Sequence, residues 1–358
     1  MKSINRRTFI KGFSIAGMAG VITASGCGNA IQGDSPSQNE NSGTDYPNSR
    51  KLFYNEDGKF KILQLTDTHY VSGDSRSETA LKNVNVVLDS ERPDLVIHTG
   101  DTIYGTPAET SIREILEPIS KRGIPFAVTF GNHDDEYDKS REELFEIVKS
   151  IPHSLIASEK DISGVTNYVL TLGSSSTEKP DRIFYLFDSN AYSSIEGIKG
   201  YGHIHFDQIE WYRERSQFFT SKNNGSPVPS LAFFHIPLPE YKLAVRSDHA
   251  IVKGEKGEDV CSPNVNSGLF VSMKEMKDVQ AMFVGHDHNN DFSVFWNNMF
   301  FIYGRFSGAD TVYNDLKPNG ARIIELTEGE AGFSSWIRLS SGEIIQKLQY
   351  PDDFLEAV

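Results

Sequence analysis

Cysteine is almost missing from this chain of 358 residues: Cys27 and Cys261 are the only two. A fold stapled by several disulfides is excluded, and one bridge at most could form. Basic residues are also scarce, 35 against 49 acidic, and they gather into no stripe. A formal net charge of −14 gives the chain no electrostatic reason to track a polynucleotide, so no nucleic-acid partner is expected. Docking on a broad anionic membrane surface is disfavoured for the same reason. Beyond residue 27 no run of about 18 apolar residues occurs, so no later segment is long enough to cross a bilayer as a helix. No repeat of fixed period is apparent. What is present is 38% hydrophobic and 11% aromatic residues, enough to bury a sizeable core.

Residues 1–27, MKSINRRTFIKGFSIAGMAGVITASGC, begin basic, pass through a Gly- and Ala-rich apolar stretch and reach small residues before Cys27. That is the pattern of a targeting segment and not of a membrane span. Arg6-Arg7-Thr8-Phe9-Ile10-Lys11 resembles the twin-arginine export signal. Ala24-Ser25-Gly26-Cys27 resembles a lipoprotein processing site, with Ala24 where Leu is usual. The expectation is export to the cell envelope or periplasm, with a lipid anchor at Cys27 as the one membrane contact. Loss of the segment's four cations takes the net charge from −14 to −18. With Cys27 lipidated or removed, no intramolecular disulfide remains. Residues 28–50 are polar and rich in Ser, Asn and Gly, the composition of a flexible tether. Residues 51–358 contain no further linker and are read as one catalytic domain.

Within that domain, short β-like runs alternate with helical stretches. FKILQL (60–65), DLVIHT (94–99) and IPFAVTF (124–130) read as buried strands. Leu81, Val84, Val87 and Leu88, then Ile112, Ile115, Leu116 and Ile119, carry helical spacing between them. Strand–helix–strand units of this kind imply a parallel sheet with right-handed crossovers. TNYVLTL (166–172) and RIFYLFD (182–188) read as an antiparallel hairpin. A helix at 206–220 precedes the strand SLAFFHIP (230–237), and a short helix at 268–278 precedes AMFV (281–284). The remainder to about 350 reads as short antiparallel strands. The fold class is α/β: two mixed β-sheets packed as a sandwich and flanked by helices.

Each parallel-type strand runs out into residues that can hold a metal. The first ends in Asp67-Thr68-His69, the second in Gly100-Asp101 and the third in Gly131-Asn132-His133-Asp134. Later come His235 and then Gly285-His286-Asp287-His288. Sites in open α/β sheets form beyond the carboxyl ends of the strands, so the five clusters should converge. Five of the ten histidines fall in them. Two divalent or trivalent ions held about 3.5–4 Å apart need a bridging carboxylate with imidazole and oxygen ligands, which is what this set offers. Mixed imidazole and carboxylate ligands suit Fe, Zn or Mn.

In their order and spacing the motifs D-x-H (Asp67, His69), G-D (Gly100, Asp101), G-N-H-D (Gly131 to Asp134), His235 and G-H-x-H (Gly285, His286, His288) resemble the calcineurin-like metallophosphoesterases. The longer stretches FKILQLTDTHY, LAFFHIPLPEY and FVGHDHNNDF are similar to the short, single-domain purple acid phosphatase-like branch. The resemblance implies that Asp67, His69, Asp101 and His288 hold one metal, and Asp101, Asn132, His235 and His286 the other. It implies that His133 stabilises or protonates the leaving oxygen and that Asp134 orients His133. Phosphate-ester hydrolysis by a metal-held hydroxide is the implied activity, with monoesters favoured. Purple acid phosphatases proper carry an iron-binding Tyr three residues after the G-D aspartate and lack the His of D-x-H. This chain has both Tyr104 and His69, and His69 is expected to be the ligand, with Tyr104 packed nearby or touching substrate.

Other residues have plainer readings beside a functional one. Arg305 in IYGRFSG could bind a phosphate oxygen or form a salt bridge. His98 inside LVIHTGD is expected to be a core histidine with a backbone partner, and Cys261 a small buried residue. Residues 240–266 are either a lid near His235 or an exposed insertion. Two further functions stay open at this point: a phosphodiesterase of the same fold, and a non-catalytic, metal-stabilised binder of a phosphorylated ligand.

Overall fold

Strands form where apolar runs are dense, and several of them are buried at every position. The computed structural model describes residues 50–173, 179–248 and 250–355, so the targeting segment and nearly all of the tether lie outside the described residues. The chain begins with β1 (Arg50–Phe53), β2 (Lys59–Leu65), α1 (Ser75–Glu91), β3 (Leu95–Thr99), α2 (Ala108–Lys121), β4 (Phe126–Thr129) and α3 (Arg141–Lys149). It continues through β5 (Tyr168–Gly173), β6 (Pro180–Leu186), α4 (Phe206–Lys222), β7 (Ser230–Phe233), α5 (Pro239–Val245) and β8 (Ile251–Lys253). It ends with α6 (Leu269–Met276), β9 (Val279–Val284), β10 (Ser293–Trp296), β11 (Met299–Tyr303), β12 (Gly320–Thr327), β13 (Phe333–Leu339) and β14 (Ile344–Tyr350).

These strands make two mixed sheets. One has eight strands in the order β1-β5-β6-β7-β9-β11-β10-β8, the other six in the order β14-β13-β12-β2-β3-β4. Within the second, β2, β3 and β4 run parallel, in the register Leu63 to Val96 and Val96 to Phe126. In the first, β6, β7, β9 and β11 run parallel. The hairpin β5–β6 is antiparallel, as its sequence predicts. β11 departs from expectation: it pairs antiparallel with β10 but parallel with β9, because the short β10–β11 hairpin folds back onto the sheet edge.

Side-chain alternation explains how the layers pack. Along β6, Phe184 and Leu186 face the same cluster as Phe60 and Ile62 of the other sheet, and Phe184 stacks on Phe60 at 6.3 Å. Ile183 and Tyr185 face the opposite way and pack with Trp211 and Tyr212 of α4. β3 is buried at all five positions, the mark of a strand with both faces covered. Helices α1 and α2 complete the outer layer on the six-stranded sheet through Val84, Val87, Ile112 and Ile115. The described residues belong to one compact unit.

α3 begins at a capping box in which Ser140 and Glu143 satisfy each other's backbone N–H groups. Its first residue, Arg141, reaches back under the loop that follows β4. This ties a helix terminus to the loop that carries Asn132 and His133.

Candidate metal centre

Three strands of one sheet and two of the other deliver the side chains. β2 leads to Asp67 and His69, β3 to Asp101, β4 to Asn132 and His133, β7 to His235, and β9 to His286 and His288. The turns are stitched to one another by backbone bonds. Asp67 N–H donates to the Gly100 carbonyl at 3.0 Å, His69 N–H to the Asp101 carbonyl at 3.0 Å, and Gly285 N–H to the His235 carbonyl at 3.1 Å. Asp67, His69, Asp101 and His286 adopt left-handed φ values of 55, 43, 52 and 78°. Such a conformation costs a non-glycine residue about 1 kcal/mol or more, so four together mark a geometry imposed by tertiary contacts. Two glycines permit the close approach. A Cβ on Gly131 would lie 2.1 Å from Asp101 Oδ1, and one on Gly285 would lie 1.9 Å from Thr66 Oγ1.

The ligand-type groups separate into two sets, all of them buried. Asp67, His69 and His288 converge, and so do Asp101, His235 and His286, with the ligand atoms of each set within 4.8 Å of one another. His286 and His288 therefore diverge from one loop into different sets. His69 Nε2 lies 3.1 Å from His288 Nε2, and His286 Nδ1 lies 3.3 Å from His235 Nε2. Asp101 Oδ2 is 3.6 Å from His69 Nε2 and 3.2 Å from His235 Nε2, so it faces both sets, the position of a bridging carboxylate.

The donors fit metal ions. His235 Nδ1 donates to the Thr99 carbonyl and His288 Nδ1 to the Tyr313 carbonyl, each at 2.8 Å. Both rings are thereby turned with Nε2 inward, the usual outer support of a ligating imidazole. Asn132 Oδ1 and His69 Nδ1 are buried without a partner. A buried acceptor such as Asn132 Oδ1 is costly unless a cation meets it. Burial would raise the Asp67 carboxyl, but the hydrogen bond from His69 and the charge of His235 hold it below the ordinary range. Asp101 is likewise held well below that range against the same penalty, chiefly by His235. Burial, then the charge of His235, lowers His286 to about 3. Burial, then the neighbouring His69, lowers His288 to about 4, so both rings are neutral as ligands must be. Burial opposes protonation of His235 as well, yet Asp101 outweighs it and lifts that ring to about 9. A cation on Asp101 would take the place of that proton.

Asp134 does not orient His133. Its carboxylate accepts from the backbone N–H groups of Gly131, Asp101, Thr102 and Ile103 at 2.7–3.2 Å, so it shapes the two turns and faces away from the imidazole. Burial and the neighbouring Asp101 charge raise it to about 6. The carboxylate on His133 is that of Glu136, whose Oε2 accepts from Nδ1 at 2.6 Å. Its place three residues after His133 was a usable sequence signal. Arg305 is not a substrate contact either. It is 3% exposed, pairs with Asp291 at 2.5 Å and donates to the Leu316 and Pro318 carbonyls of the segment before β12.

Tyr104 stands edge-on to His69 and His133, with centroids 5.2 and 5.0 Å away, while His69 occupies the ligand set. His98 is buried beside Thr68 Oγ1, 2.9 Å from Nε2. That hydroxyl donates to the Thr102 carbonyl, so it accepts from the ring: a side-chain partner where a backbone one was expected. Residues 240–266 form α5, β8 and a strap beside the His286–Asn290 loop. Gly257 N–H donates to the Asn289 carbonyl at 2.8 Å, and Asn289 N–H donates to Glu258 at 2.6 Å. Cys261 is exposed, contrary to expectation, and its backbone N–H donates to Asp287 at 3.1 Å. Sequence reading missed Glu136, Glu258, Tyr192, Tyr201 and Tyr313. The last three lie in irregular segments with no periodicity to flag them.

A family model described as calcineurin-like phosphoesterase matches residues 60–290. A protein of Arabidopsis thaliana named probable inactive purple acid phosphatase 14 is 30% identical over 344 residues, spanning 85% of this chain and 83% of its own. The phosphatase DCR2 of Saccharomyces cerevisiae is 31% identical over 334 residues, 82% of this chain and 56% of its own. A dimetal phosphatase from Danio rerio shares the fold with a TM-score of 0.57 at 14% identity, over 81% of this chain and 98% of that one.

Proposed function

This chain belongs to the calcineurin-like phosphoesterase family, and from that premise we propose that it hydrolyses phosphate esters, monoesters in preference, at a centre for two metal ions. The observation that carries the reading is the convergence of two buried ligand triads beside His133, with Asp101 facing both. Asp67, His69, Asp101 and His288 would hold one ion, and Asp101, Asn132, His235 and His286 the other. When bound, the pair supplies the Lewis acidity that draws charge from the phosphate oxygens and makes water nucleophilic. Fe, Zn or Mn suits these ligands.

The chain's own residues do the rest. His133 sits at the mouth, with 28% of its side chain exposed, and its Nδ1 is engaged by Glu136 at 2.6 Å. Nε2 is then the atom that places a proton on the leaving oxygen. Asp134 keeps the turns after β3 and β4 in register, so that Asp101 and Asn132 meet. Tyr104 buttresses His69 and His133 and is not itself a ligand.

Hydrolysis of an aryl phosphate monoester and its bis-aryl diester by residues 51–358, with metal quantified by mass spectrometry, tests the proposal. Metal-dependent turnover, lost in Asp101→Asn, supports it, and the ratio of the two rates sets the ester class. Two bound metals with no turnover of either ester overturns it in favour of the non-catalytic binder, a reading that the names of the plant relatives keep in view. The export signal and the anchor at Cys27 belong to the same proposal. Expression of the full chain should place it in the detergent phase, and Cys27→Ala should release it; equal partition of both forms refutes the anchor.

A further inference from the structure

The mouth of the metal cleft is walled by aromatic rings and carboxylates. Tyr313 stacks on His288 with centroids 4.5 Å apart and planes 29° apart. Tyr201 stands edge-on to His286 at 4.3 Å, and Tyr192 lies nearly parallel to Tyr201 at 6.1 Å. Tyr192 and Tyr313 are nonetheless 49% and 57% exposed, so each keeps open surface beside the ligand histidines. Both phenols are tethered: Tyr192 donates to Glu136 at 2.5 Å and Tyr313 to Glu258 at 3.0 Å. Glu258 is held in place by Asn289 N–H, one residue beyond His288. A phenol that donates to a carboxylate has a more electron-rich ring, and a ring face already attracts cations.

Among the described residues, no lysine or arginine is hydrogen-bonded, ion-paired or stacked on Tyr192, Tyr201, Tyr313, Glu136 or Glu258. Arg305, the basic residue that the sequence offered for this cleft, is committed to Asp291. The phosphate's charge is met by the metal centre and His133. Whatever the alcohol half carries must lie against this collar. A second anionic group would face two carboxylates, whereas an ammonium group would gain a ring face and a counter-charge together.

We infer that Tyr192, Tyr313, Glu136 and Glu258 form an alcohol-side subsite that selects phosphate esters carrying a positive charge on the alcohol. This rests on the phosphoesterase reading of the metal centre. The test compares phosphocholine with its uncharged isostere 3,3-dimethylbutyl phosphate and with 3-phosphopropionate, using the metal-loaded chain. The expected kcat/KM is about tenfold higher for phosphocholine than for the isostere, the size of one partly desolvated cation–ring contact, and lowest for the carboxylate ester. In Tyr313→Leu and in Glu258→Gln the ratio of the first two falls toward one. Equal or faster turnover of the isostere overturns the subsite, as does a ratio that both variants leave unchanged.

Calorimetric binding of phosphocholine and the isostere to metal-loaded His133→Ala protein separates the two readings. A tenfold binding preference in a chain whose parent turns over no ester would keep the subsite and sink the enzyme. Turnover of all three esters without preference would keep the enzyme and sink the subsite.

Discussion

Replacing Arg141 by Met should unlock the loop that carries Asn132 and His133. Arg141 is 8% exposed and donates to the Gly131 carbonyl at 2.9 Å, the Phe130 carbonyl at 3.1 Å and Asp135 at 2.9 Å. It grips Asp188 with two prongs, Nε to Oδ2 at 2.9 Å and Nη2 to Oδ1 at 2.6 Å. Met keeps much of the apolar stem and removes the charge, leaving the fully buried Asp188 without a cation. Removing one partner of a buried pair costs about 3–5 kcal/mol. Asp188 keeps N–H donors on Val165, Thr166 and Asn190 at 2.8–3.2 Å, which puts the expected loss near the lower end, about 3 kcal/mol. At roughly 2–3 °C per kcal/mol the melting temperature falls about 6–9 °C.

The pH dependence has a definite sign. Burial would raise the Asp188 carboxyl, but the charge and hydrogen bonds of Arg141 outweigh it and hold it low. The pair's contribution is therefore full above the unfolded value of about 3.9 and is lost as pH falls through the lower folded value. The gap between wild type and variant is widest near neutrality and closes in acid. Urea titrations at several pH values read it, with Arg141→Met/Asp188→Asn as the second arm. The double variant should recover at least about 1 kcal/mol relative to the sum of the singles, since neither buried charge remains. A single-variant loss below about 1 kcal/mol, or strict additivity, refutes the reasoning.

Other outcomes follow from the same contacts. Glu136→Gln should lower kcat about tenfold on an alkyl phosphate and less on a nitrophenyl ester, whose leaving oxygen needs little protonation, with metal content unchanged. An equal loss on both esters would show that Glu136 does not act through His133. Gly285→Ala drives a Cβ into Thr66 and Asp67, and should cost about 2–3 kcal/mol and at least one metal per chain, read by denaturation and mass spectrometry. Full metal content at wild-type stability would contradict that crowding. Arg305→Met should lose about 3 kcal/mol of stability while KM stays within about twofold, because its partner is Asp291 and not substrate. A large rise in KM would reinstate it as a substrate contact.

Much of the architecture was legible because local patterns carry it. The runs at 60–65, 94–99 and 124–130 are too apolar to be anything but covered strands, and β2, β3 and β4 stand there in parallel. α3 was legible too, since Ser140 and Glu143 spell a capping box, although the sequence reading passed over that stretch. β1 and β8 were not: at four and three residues, with mostly exposed or half-buried side chains, they are strands only because a neighbour offers them an edge.

The candidate site divides along the same line. That Asp67, His69, Asp101, Asn132, His235, His286 and His288 belong together could be read from the chain, since each follows a strand and strand ends of parallel sheets meet on one side. Which carboxylate serves which partner could not. Asp134 adjoins His133 and Glu136 lies three residues on, yet the backbone donors that converge on Asp134 decide that the farther Glu136 takes the imidazole. Arg305 and Cys261 turned on the same kind of information. Residue type and spacing determine what a side chain can offer; burial, and the groups that arrive from distant strands, decide what it meets.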